Sequence, residues 1–266
     1  MNKRKLMIVS LLTSFVWSLP ILHTPYHVSV NTAYAANTED REFNTDKEAA
    51  KKWGEEKYKD WEEKKLTKAE KDIVYNYTAS GASVLNDYLI ATKGNLVEKQ
   101  EDLPPGTDYK LADAQKYNEK IKNLEGILKK VSTPETVSVY KRVSETQFGM
   151  EAGDLRPNGP RGGMDVAKAQ QIQDNFLGKT FEPFKFMSTS LSKDPDKSFT
   201  GERYGVLLHI KVPKGTTAAY ISDLSKYSDQ VELLIQRGYT YKYDKFTIIN
   251  EDGIQSLKVD VSIVPQ

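Results

Sequence analysis

The periodicity of the apolar residues changes once along this chain, at Thr133-Pro134, and that change limits what it can fold into. Before it, apolar residues recur at helical spacing. Ala50, Trp53, Lys57 and Trp61 share a stripe within 46–61, and Thr67 with Glu70 forms a capping box for a second helix reaching about Tyr77. Leu85 and Leu89 face inward from 82–91, as do Ile121, Leu124, Ile127 and Leu128 from 111–131. After it, short stretches alternate as strands do: 136–143, 184–191, 205–212, 217–221, 231–235, and a closing hairpin of 246–250 and 257–264 around Asp252-Gly253. One helix, over 164–177, interrupts them. Helices followed by strands predict the α+β class, with a helical part over 46–131 and a mainly β part over 133–266.

The first 35 residues stand apart. Lys3, Arg4 and Lys5 precede an apolar run from Leu6 to Leu22, and Ala33-Tyr34-Ala35 sets small residues before Ala36. This is the layout of a secretory signal peptide cleaved near Ala35-Ala36. The expected mature chain, 36–266, is a single secreted domain with no membrane insertion. It has no cysteine, so thiol catalysis, disulfides and cysteine-based zinc sites are excluded, and its core alone must hold it. A net charge of +1 marks neither a nucleic-acid binder nor a membrane-surface binder. The glycine- and proline-rich loop 153–163 lacks the Gly-Lys-Ser/Thr ending of a phosphate-binding loop.

Chemistry concentrates in Tyr227 to Gly238. Ser228 and Asp229 signal a turn, and Val231, Leu233 and Ile235 alternate with Glu232 and Leu234. Period two, extended back through the turn, puts Gln230, Glu232 and Leu234 on one face. Taken alone, Gln-x-Glu also suits the solvated face of an edge strand.

Four landmarks stand in order: the basic pair of Tyr140-Lys141-Arg142, Ser188-Thr189-Ser190, the aromatic Tyr227, and Gln230-x-Glu232. The order resembles the bacterial mono-ADP-ribosyltransferase toxins, and its Gln-x-Glu form resembles the single-domain exoenzymes that inactivate Rho GTPases. The likeness runs from about residue 45 to the end. It implies helices packed on a mixed β-sandwich core, NAD as the substrate with no metal, and a monomer that acts in the host cytosol. The implied protein substrate is a Rho-type small GTPase modified on asparagine. Glu232 would face the positive charge that develops on the ribose, with Ser188 and Ser190 framing the nicotinamide pocket and orienting Glu232. Thr189, Asn86, Phe199 and Arg203 would complete the NAD site. Gln230 would meet the acceptor asparagine, and Tyr227 would pack on the GTPase.

Two departures matter. The family's arginine after the aromatic is Lys141 here, and alternation points the adjacent Arg142 to the opposite face, so either could reach the phosphates. Ile90 stands where a second arginine is expected. Two rival readings stay open. One is an arginine-modifying transferase, acting for example on actin, which the helical part and Gln147-Phe148-Gly149 resemble equally. The other is a non-catalytic binding module with a decayed NAD site.

Overall fold

Local signals set the helices of the computed structural model, which describes residues 40–265. The expected signal peptide therefore lies outside the described residues. Helix α1 (Lys47–Asp60) starts where the Asp46 carboxylate accepts the Ala49 amide at 3.0 Å. Helix α2 (Lys68–Asn76) starts at the complete Thr67/Glu70 capping box. Helices α3 (Ala82–Ala91) and α4 (Leu111–Leu128) follow. The buried stripe of α1 is Ala50, Trp53, Gly54 and Tyr58, continued by Trp61; Lys57 is exposed, its neighbour Tyr58 taking the inward place. A π-helical turn at Tyr77–Gly81 joins α2 to α3 and widens the helix where it meets the β part.

The strands are β1 (Val137–Val143), β2 (Thr180–Phe181), β3 (Met187–Ser190), β4 (Val206–Val212), β5 (Ala218–Tyr220), β6 (Glu232–Ile235), β7 (Tyr241–Glu251) and β8 (Ile254–Ile263), with α5 (Val166–Phe176) between β1 and β2. They pair in the order β2-β7-β8-β4-β1-β3-β6-β5. Among these strands of the described residues only β4 and β8 run parallel, and the other pairs are antiparallel. This is the expected α+β class, helices on a mixed β core.

One joint in that order positions the site. Strands β1 and β4 pair along seven residues without a bulge, whereas β1 and β3 meet only at Tyr140 opposite Ser190. The strand series therefore divides at that single pair into a five-strand and a three-strand half. The closing hairpin is longer than the sequence reading, because Tyr241 and Tyr243 extend β7 toward its start across a bulge near Asp244. Its turn is the one expected: Asp252 and Gly253 both take positive φ, 52° and 80°. Among the described residues no helix is long and apolar enough to cross a membrane.

Candidate active site

Beside the single β1–β3 pair lies a cleft bordered by Lys141, Arg142, Ser188, Ser190, Phe199, Gln230 and Glu232, enclosing about 50 Å³. A second opening of about 350 Å³ shares Ser188, Phe199, Gln230 and Glu232 and adds Tyr77, Thr78 and Tyr227. The four landmarks thus converge on one place.

Glu232 is its centre. It is 6% exposed, and Ser188 Oγ donates to its Oε1 at 2.5 Å. Burial raises its carboxyl above the ordinary range, while the Ser188 hydrogen bond and the Lys141 charge pull the other way. Its own N–H donates to the fully buried Ser222 Oγ at 2.6 Å. The expected shared face for Gln230 and Glu232 is not found. Strand β6 begins at Glu232, Ser228–Gln230 form a short 3-10 turn, and Val231 between them is left-handed at φ 42°, ψ 48°. A buried β-branched residue there is strained, and the neighbouring hydrogen bonds fix it. Leu191 N donates to Val231 O at 3.0 Å, and Ser190 Oγ to Gln230 O at 2.8 Å. The kink sends Gln230 elsewhere: its Nε2 donates to Asp196 Oδ2 at 2.8 Å.

The Ser-Thr-Ser strand divides its work. Ser188 orients Glu232, Ser190 holds the turn, and Thr189 Oγ1 donates to Leu233 O at 2.6 Å, bracing β3 to β6. Lys141 lies on the Glu232 side and donates to Ser188 O at 2.7 Å. Burial first, then the Lys185 charge, bring its pKa down to about 8, against the pull of Glu232. Regular pairing keeps Arg142 on the other face, as expected, yet it also borders the cleft. Its side chain is 2% exposed and engaged: Nε and Nη2 donate to Asp194 Oδ1 at 3.1 and 2.9 Å, and Nη1 to Ser256 Oγ at 3.2 Å.

Other expected residues lie further off. Asn86 does not border the cleft; its Nδ2 donates at 3.2 Å to the hydroxyl of Tyr77, which lines the second opening. Arg203 is exposed, its guanidinium over the Tyr204 ring at 5.7 Å, outside the lining of either opening. Phe199 lines both openings and stacks on Tyr204. Tyr227 is 47% exposed at the rim. Sequence reasoning missed Asp194, Asp196, Ser222 and the role of Tyr77. A short polar loop and a lone serine carry no spacing signal.

The family model for the ADP-ribosyltransferase exoenzyme matches residues 50–265. The chain belongs to that family. The chain is 27% identical over 230 residues to a mono-ADP-ribosyltransferase C3 of a Clostridium botulinum D phage, covering 86% of this chain and 81% of that one. Among solved structures it is similar to Plx2a, an ADP-ribosyltransferase toxin from Paenibacillus larvae, at TM-score 0.68 and 30% identity over 85% of this chain and all (100%) of that one. It is also similar to the ADP-ribosylating toxin BECa of a C. perfringens binary enterotoxin, solved with NADH, at TM-score 0.66 and 27% identity; 85% of this chain covers 50% of that one.

Proposed function

We propose that this chain is a secreted mono-ADP-ribosyltransferase exotoxin. It takes ADP-ribose from NAD and transfers it to an asparagine of a host Rho-type small GTPase, acting as a monomer in the host cytosol. Without an acceptor it hydrolyses NAD slowly. The observation that carries the reading is the pairing of a buried, serine-held Glu232 with a neutral Gln230 turned away from it by Val231.

The residues fit NAD: a buried carboxylate, an aromatic at Phe199, and two cations, Lys141 and Arg142, border one cleft. When bound, NAD supplies the nicotinamide–ribose bond and the positive charge that grows on the ribose as that bond breaks. Ionised Glu232 stabilises that charge, as a carboxylate does in glycoside cleavage. Ser188 holds Glu232 in one rotamer. Lys141 keeps free N–H groups beside its bond to Ser188 O and takes the phosphate role that its charge allows, and Arg142 joins it once Asp194 yields. Tyr227 and Gln230 serve the protein acceptor. A carboxylate at 230 would suit a guanidinium acceptor; an amide suits an amide, which favours asparagine over arginine.

The test is Glu232→Gln, assayed for nicotinamide release and for label transfer from NAD to host-cell proteins. Loss of one preorganised group costs about 10²–10³ in rate, so both activities fall together by that factor. Retention of more than about a tenth of either would remove Glu232 from the chemistry.

A further inference from the structure

Asp196 uses both carboxylate oxygens. Oδ1 accepts the Ser198 N–H at 2.6 Å, Oδ2 accepts Gln230 Nε2 at 2.8 Å, and its carbonyl accepts the Phe199 N–H at 3.1 Å. One residue thus ties the turn carrying Phe199 to the turn carrying Gln230. An ionised carboxylate only accepts hydrogen bonds. The Gln230 amide therefore has one allowed orientation: NH₂ toward Asp196 and Oε1 away from it.

We infer that Asp196 is a positioning residue for acceptor choice: by holding the Gln230 NH₂, it leaves the carbonyl Oε1 to meet the incoming side chain. This rests on the transferase reading above. A side chain meeting Oε1 must donate, and the carboxamide NH₂ of asparagine does so with the nitrogen that is to be modified. Turned round, Gln230 would present its own N–H groups and meet the acceptor's carbonyl instead. The backbone holds the arrangement from the other side, since Ser190 Oγ donates to Gln230 O and Val231 is kinked. Rotation about the Gln230 side chain is then the remaining freedom, and Asp196 removes it.

Asp196→Asn is the decisive variant. It keeps the shape and an acceptor for Ser198, but offers an N–H of its own to Gln230 and so permits the reversed amide. The experiment measures label transfer from NAD to a purified Rho-type GTPase, acceptor-free nicotinamide release, and the melting temperature, for wild type, Asp196→Asn and Asp196→Ala. We expect transfer to fall at least tenfold in Asp196→Asn, with nicotinamide release and its KM for NAD within about twofold of wild type and the melting temperature unchanged. Asp196→Ala frees the amide without reversing it and loses transfer to a smaller extent. Undiminished transfer in both variants overturns the inference, and so does an equal fall of transfer and release. A wild-type protein that neither releases nicotinamide nor transfers label would instead overturn the transferase reading itself.

Discussion

A half-buried Lys141 and a buried Glu232 sit around one serine, and their titrations bound the working pH. Burial raises the Glu232 carboxyl, so its charged form is lost at a higher pH than for an ordinary carboxylate. Lys141 is brought down to about 8, so its charge is lost on the alkaline side of neutrality. Acceptor-free NAD hydrolysis should follow a bell in pH, with the alkaline limb near 8. In Lys141→Arg the guanidinium stays charged and that limb should vanish. A limb unchanged in the arginine variant would assign it elsewhere. Stability follows its own sign. A carboxyl whose folded pKa is raised contributes stability that is present at low pH and lost as pH rises through the folded value. Glu232→Gln should therefore melt at or above the wild-type temperature at pH 7, which separates its lost activity from any loss of fold. These residue types could be read from the sequence, and so could the opposite faces of Lys141 and Arg142. The engagement of Arg142 by Asp194 could not, because the pair lies 52 positions apart on a loop without a pattern.

Among the elements, α1 shows how closely the helical part is fitted to the β part. A methyl group on Gly54 would come within 2.5–2.6 Å of three Tyr220 ring atoms, including the one nearest the backbone. Tyr220 is buried and packs beside Tyr58 at 6.5 Å between ring centroids, so it has no room to swing away. Gly54→Ala gains about 1 kcal/mol of helix propensity but overpacks the contact at about 1–3 kcal/mol. We expect a net loss, read as a lower urea midpoint with an unchanged slope; a variant as stable as wild type would mean that α1 shifts freely on β5. The Thr67/Glu70 capping box and the Asp252-Gly253 turn were legible because each follows from local chemistry. The start of β6 was not. Period-two reading assumes extended backbone throughout, and nothing marks a valine as the residue that will turn left-handed. Tertiary hydrogen bonds from Ser190 and Leu191 impose that kink, and with it the separation of Gln230 from Glu232.

At the scale of the molecule, the first described residues reach the site. Asn44 O accepts the N–H of Lys193, at the base of the loop that carries Asp194 and Asp196, at 2.7 Å. The Tyr140 hydroxyl, on the strand of the basic pair, donates to Glu42 at 2.5 Å. The N-terminal segment thus braces both the loop and the strand that border the cleft. The proposed activity is transfer of ADP-ribose from NAD to an asparagine of a Rho-type GTPase. Its most direct test is to incubate residues 36–266 with NAD and the purified GTPase, and to locate the added mass by peptide mass spectrometry. We expect a single ADP-ribose on one asparagine, absent with Glu232→Gln. Modification of an arginine, or an unmodified GTPase beside labelled actin in the same assay, would contradict it.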